Sequence, residues 1–186
     1  MLSSGSAGYC RPNGDQPRTG SSLGENRIGP LAVKGTHRFR QFLALSRSEQ
    51  SAFVEAALLL SLARAAVAFV PFRRIAQHIG RFQDETEPEE RSDWLEKRRL
   101  VFLSLHRASH HLPWKSSCLV QAIAGQRMLL RRDVPSTLYL GLARDADSGE
   151  LLAHAWLRSG EQVLTGGSAS GDRYTVVGSF TAGDEP

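Results

Sequence analysis

The sequence predicts an α+β protein: a helical N-terminal half, then a core in which a cysteine-bearing helix packs on a small antiparallel sheet. Three observations carry that expectation. Trp94, Val101, Leu105, Ala108 and Leu112 recur at three, four and seven residue spacings, the period of an amphipathic helix. Leu138, Leu140 and Leu142 instead alternate with Tyr139 and Gly141, the period of a strand. The composition, 41% hydrophobic and 23% charged, is that of a globular chain and excludes wholesale disorder, collagen-like fibres and a multi-span membrane protein. A length of 186 residues holds one ordinary domain or two small ones. We divide it into a tail at 1–35, a helical region at 36–111 and a core at 112–182.

Residues 1–35 hold seven Gly, with Pro12, Pro17, Pro30 and several Ser, and lack apolar periodicity, so they read as a disordered tail. Cys10 lies in it, with no fixed partner to activate its thiol. A helical pattern begins at His37 with Phe39, Phe42, Leu43 and Leu45 and stops at the polar run 46–48. Ser48 is the expected N-cap of the next helix, a dense apolar run over 52–72 that carries only Glu55 and Arg64 before it ends near Pro71. A spanning helix needs about 20 apolar residues, and a central Arg costs on the order of 3 kcal/mol on insertion scales, so Arg64 counts against a membrane span. A buried helix is the simpler expectation. Arg64 with Arg73 and Arg74 leaves open contact of 52–72 with an anionic membrane surface or a partner protein.

The polar stretch 83–91, with Pro88, is expected to link helices. The helix that follows, ending before Pro113, carries Lys97, Arg98, Arg99 and Arg107 on its polar face; this is a solvated face or a surface that attracts an acidic peptide. Residues 118–132 form a helix that Ser116 or Ser117 can cap, with Arg131 and Arg132 in a last turn whose dipole suits cations. Strands are expected near 138–142, 150–157, 162–165 and 173–180. The links at 145–149 and 159–160 have turn chemistry, so neighbouring strands should pair antiparallel.

Charge and cysteine count narrow the function classes. A formal charge of +4, from 23 Lys and Arg against 19 Asp and Glu, does not by itself argue for nucleic acid. Two distant cysteines, Cys10 and Cys118, support neither a disulfide framework nor a four-cysteine zinc site. The first eleven residues lack the basic start and apolar run of a signal peptide, so a reducing cytoplasm is the expected compartment, with membrane association left open. His106 and His110 stand four apart beside His111, a spacing that suits a metal, yet no acidic or thiol ligand completes a set. Gly166, Gly167 and Gly171 follow a short strand without the Lys and helix of a phosphate-binding loop. We therefore expect no metal, nucleotide or other cofactor and no nucleic-acid partner.

Cys118 falls in the first turn of its helix, where unpaired amides and the dipole favour a thiolate and can depress a thiol pKa below its free value of about 8.5. The same amides can hold a developing oxyanion. His154, 36 residues on, shares one strand face with Leu152 and Trp156, while Ala153 and Ala155 take the other. A strand apolar on both faces is central in its sheet, so its histidine is either a satisfied core residue or a rigidly held functional one. Spacing alone leaves open a nucleophile and base or a buried Cys near a core His. Trp114 and Trp156 stand near these residues in the sequence, as packing or as the walls of a cleft.

The stretch Leu112-Pro113-Trp114-Lys115-Ser116-Ser117-Cys118-Leu119-Val120-Gln121-Ala122, followed by Gln126-Arg127-Met128-Leu129-Leu130-Arg131-Arg132 and Val134-Pro135-Ser136-Thr137-Leu138-Tyr139-Leu140-Gly141, closely resembles the transglutaminase-like cysteine peptidase domain of lasso-peptide maturation proteins. Ala153-His154-Ala155-Trp156-Leu157 is similar to its histidine motif, and the resemblance extends over 112–180, with the apolar helix before Pro71-Phe72-Arg73 similar to the helical region of the stand-alone form. The resemblance implies a transglutaminase/papain-like core and a leader peptidase for a ribosomally made lasso-peptide precursor. It would work through a thiol acyl-enzyme, with Cys118 as nucleophile and His154 as general base. It also implies a split system, because the N-terminal half reads as apolar helices with no strand pattern and no winged-helix leader-binding domain. A separate recognition protein would present the precursor peptide, and that protein or the lasso cyclase would dock near the apolar helix. The Asp that orients the imidazole in the family pattern should fall twelve residues after the histidine, where this chain has Gly166. Asp172, the Thr165 hydroxyl or a backbone carbonyl remain for that role. With the Asp missing, a weak or silent docking subunit and an acyltransferase using the same Cys stay as alternatives.

Overall fold

A computed structural model describes residues 44–86, 91–146, 148–167 and 173–183. The expected tail with Cys10, the helical start at 37–43, Pro88 and Asp172 lie outside the described residues.

The first helix, α1, spans Arg47–Phe69. Its N-cap is Ser46 rather than Ser48, because Ser46 has a glutamate three residues on: Glu49 N donates to Ser46 Oγ at 3.3 Å and Ser46 N donates to Glu49 Oε2 at 3.0 Å. Those bonds, Ser46 foremost and Arg107 after it, hold the Glu49 carboxyl below the usual carboxylate range. Ala52, Ala56, Leu60 and Ala63 form the buried stripe, with small residues that permit close helix packing. By length and composition alone α1 is long and apolar enough to cross a membrane, but this stripe packs it into the core.

The apolar run does not continue to residue 72 as one helix. Pro71 cannot continue an α-helical ladder and sets φ at −55°, the N-cap of a separate short helix, α2, Phe72–Ile79, which buries Ile75 and Ile79. The strand β1, Arg81–Phe82, follows and pairs antiparallel with residues 180–181. The helical half therefore does contribute to the sheet, through a segment too short to show alternation.

Helix α3, Ser92–His111, buries Trp94, Arg98, Val101, Ser104, Leu105 and Ala108. Arg98 belongs to the buried stripe and not to an exposed basic face. Its side chain is 0% exposed, and Nη1 donates to the Ser159 carbonyl at 2.9 Å while Nε reaches the Trp94 carbonyl at 3.4 Å. The four and three residue steps from Trp94 through Arg98 to Val101 and Leu105 require that placement. Lys97 is bonded to Asp93 at 3.1 Å and Arg107 to Glu49 at 3.2 Å, so the expected basic face is largely neutralised within the chain.

Helix α4, Cys118–Leu130, lies against a sheet of β2 (Ser136–Arg144), β3 (Leu151–Ser159), β4 (Gln162–Thr165) and β5 (Thr175–Ala182). The strand order is β1-β5-β2-β3-β4, antiparallel throughout. The expected hairpins β2–β3 and β3–β4 form, but β5 returns across the sheet to pair with β2 instead of β4. This leaves β3 interior, hydrogen-bonded on both sides, with β2 at the centre. Met128 and Leu129 of α4 meet Leu138 and Leu157 of the sheet in one core, all fully buried, each contributing about 1.5–3 kcal/mol by removal from water. Gln126 Nε2 donates to the Phe180 carbonyl at 2.9 Å and ties α4 to β5. These contacts fix where Cys118, at the helix start, meets the sheet.

Candidate active site

Ser117, not Ser116, caps α4: its Oγ accepts from Val120 N at 3.4 Å, while the Ser116 carbonyl accepts from Gln121 Nε2 at 3.2 Å. Cys118 is thus the first helical residue, half-buried, in a first turn without acidic side chains. First-turn amides have no acceptor within the helix and carry the positive end of its dipole, which favours negative charge on sulfur or on an oxygen bound there.

Packing of α4 on β3 brings His154 to this thiol. The imidazole is buried and hydrogen-bonded to the Cys118 side chain. That bond is the main cause of a His154 pKa raised above its ordinary value; burial opposes it, while the charge on Cys118 and the Gly166 carbonyl add to it. The ring's Nε2 lies 2.9 Å from the Gly166 carbonyl oxygen. A carbonyl only accepts, so Nε2 carries a hydrogen and donates it, leaving Nδ1 as the basic nitrogen of the neutral ring.

The position expected to hold Asp therefore supplies its peptide oxygen. Gly166 has φ +97°, and a Cβ built there would stand 2.6 Å from Trp156 Cβ and 3.0 Å from His154 Nε2. A side chain there would have to displace Trp156 and hold a strained left-handed backbone. Thr165 is buried with its Oγ1 unpartnered and does not bond the imidazole.

Aromatic rings complete the surroundings. Tyr174 lies against His154 with centroids 4.8 Å apart, Trp156 stacks near it at 6.0 Å, and Tyr139 stacks on Trp156 at 5.3 Å. The Tyr139 hydroxyl accepts from Arg158 Nε at 3.0 Å, and its pKa is raised, by burial above all. Gly141 is the register partner of His154, and a Cβ there would meet the Trp156 ring at 2.7 Å and Tyr174 Cβ at 2.9 Å. Tyr174 and Gly141 were not legible as site residues. Tyr174 arrives only through the β5 crossover, whereas the Gly within the alternating run 138–142 was a signal of close approach.

Of the two tryptophans, Trp156 stacks near the imidazole, whereas Trp114 lies beneath the Arg64 guanidinium at 5.7 Å. His106 and His110 pack edge to face at 4.6 Å, and among the described residues no three His, Cys, Asp or Glu converge as a metal site.

No curated protein and no solved structure matches the chain. Residues 56–179, two thirds of its length, match the family model described as the transglutaminase-like superfamily, a span that runs from α1 through the Cys118 helix and the His154 strand to β5. With that match over a fold whose helix-borne cysteine meets a strand-borne histidine, the chain belongs to the transglutaminase-like superfamily.

Proposed function

We propose that this chain is a cysteine peptidase that removes the leader from a lasso-peptide precursor, acting in the cytoplasm with a separate leader-recognition protein and alongside the cyclase that closes the released core. The observation that carries the catalytic part is the hydrogen-bonded Cys118 and His154 pair at a helix N-terminus, with the imidazole held by the Gly166 carbonyl. The superfamily includes cysteine peptidases, and the motif resemblance around Cys118 and His154 supports the leader-processing role.

In this reading His154 Nδ1 takes the Cys118 proton and Sγ attacks the scissile carbonyl carbon. The oxygen that gains charge sits at the first-turn amides of α4, while the imidazolium is steadied by its Nε2 bond to Gly166. The leaving amine takes the proton from His154 as the C–N bond breaks, which leaves a thioester on Cys118. His154 then deprotonates a water that attacks the thioester; the acid product departs and the thiol re-forms. A peptide oxygen carries no full charge, so it orients the ring while stabilising the imidazolium less than a carboxylate does.

Mass spectrometry of a precursor peptide incubated with the protein, with and without the recognition protein, tests this reading. The expected result is one cut at the leader and core junction that is lost in Cys118→Ala and in His154→Ala. A product heavier by an added amine shifts the reading to acyl transfer on the same cysteine. The missing carboxylate at residue 166 favours a second reading, a silent docking subunit, and absence of any product from a folded protein with its partner present selects it.

A further inference from the structure

The side of α1 turned away from α3 and α4 is apolar, and nothing among the described residues covers it. Val54, Leu58 and Leu62 are 48%, 60% and 64% exposed and follow one another at four residue steps, on one side of the helix. The stripe reaches Phe69, 86% exposed, and turns over Pro71 to Phe72, 40% exposed. A phenylalanine that open touches almost nothing of its own chain, and contiguous exposed apolar surface of this kind marks a contact site.

The charges around it have one sign. In residues 51–82 the only carboxylate is Glu55, and it is held by Arg132 at 2.7 Å and Arg131 at 3.3 Å. Arg64, Arg73 and Arg74 are exposed cations on the same segment, the last two directly after Phe72. On one flank Leu62 and Val70 pass into an apolar groove of about 580 Å³ between α1, α2 and α4, whose rim carries Arg74, Arg127 and Arg131. Protruding aliphatic and aromatic side chains flanked by the exposed Arg64, Arg73 and Arg74, with the one carboxylate of the segment already paired, match the headgroup region of an anionic bilayer, where apolar groups enter the acyl boundary and guanidinium groups meet phosphate.

We infer that the elbow between α1 and α2 is a peripheral docking surface for anionic phospholipid membranes, with Phe69 inserted and Arg73 and Arg74 on lipid phosphates. The inference does not rest on the peptidase reading, because it uses none of the residues around Cys118.

Co-sedimentation of the full chain with phosphatidylcholine vesicles, and with vesicles in which part of that lipid is replaced by phosphatidylglycerol, tests it. The chain is expected to pellet with the anionic vesicles and to be released as salt rises. The double variant Arg73→Glu, Arg74→Glu is expected to lower that partition by about tenfold or more. Phe69→Ser should lower it as well, with the circular dichroism of both variants unchanged because these side chains are exposed. A chain that stays in the supernatant, binds neutral vesicles equally, or binds undiminished in both variants overturns the inference. So does a Phe69-dependent dimer in sedimentation equilibrium without vesicle binding, which would assign the stripe to a second copy of the chain.

Discussion

The imidazole of His154 is held at Nε2 by the carbonyl oxygen of Gly166, 2.9 Å away and twelve residues along the chain. The backbone that presents this oxygen is one that only glycine adopts freely, with φ at +97°. Restoring a carboxylate by Gly166→Asp should therefore fail as a repair. The new Cβ would enter the space of Trp156 Cβ, and the left-handed conformation alone costs a residue with a side chain of order 1–3 kcal/mol. Urea unfolding is expected to show at least that loss, and under the proposed function cleavage of a precursor peptide should fall. A variant as stable as the wild type and more active would sink this account of Gly166.

The hydrogen bond with Cys118 predicts how His154 titrates. Its folded pKa is raised above 6.5, so the charged ring contributes stability that is fully present below 6.5 and is lost as pH rises through the raised folded value. In Cys118→Ala the main cause of the rise is gone and burial is the largest remaining influence, which lowers the pKa. An NMR titration of the His154 ring should give a midpoint above 6.5 in the wild type and a lower one in Cys118→Ala. The melting temperature of the wild type should correspondingly drop, relative to the variant, as pH rises just above 6.5. Identical midpoints in the two proteins would remove the Cys118 contact as the cause.

Gly141 faces His154 across the β2–β3 pair, and the Trp156 ring and Tyr174 occupy the space where its side chain would be. Gly141→Ala is expected to push these rings and so misplace the imidazole between them. Displacements near 1 Å can cost about 100-fold in rate, so a fall of tenfold or more in kcat is the expected outcome. Unchanged turnover would show that the rings pack the core without positioning the histidine.

Arg98 is a buried cation whose guanidinium caps the Ser159 carbonyl at the end of β3. Arg98→Ala would leave a cavity and strip that carbonyl of a charged donor, for an expected loss of about 3 kcal/mol or more. Chemical denaturation reads it directly. A loss within about 0.5 kcal/mol, the range of ordinary surface substitutions, would contradict the burial of this side chain.

Several elements were legible because their signals are local. The helix that begins at Cys118 announces itself by Ser117 and an apolar run, and the turns at 145–149 and 159–160 set two hairpins that form. The motif around Cys118 and His154 named the pair, and packing of α4 on β3 joins them. Other features were hidden for definite reasons. A two-residue strand such as β1 has no period to read, and the break between α1 and α2 lies inside a run that is apolar on both sides of Pro71. The cap falls on Ser46 and not on the expected Ser48, because only Ser46 has a glutamate three residues on to return its bond. The charge of Arg98 points to solvent, whereas its spacing from Trp94 and Val101 places it on the buried stripe.

By itself, the sequence determined the α+β class, the helix and strand that carry Cys118 and His154, and the absence of a residue with a side chain where an orienting carboxylate was expected. These are properties of residue type and periodicity, which act over a few positions of chain. Only the tertiary structure decided what replaces the carboxylate and which rings surround the histidine. The Gly166 oxygen reaches Nε2 because β4 pairs with β3 and the chain then turns through a positive φ, and Tyr174 arrives because β5 crosses back to β2. A peptide oxygen is present at every position of every sequence, so its use as a partner is written in the path of the backbone and not in the identity of any side chain.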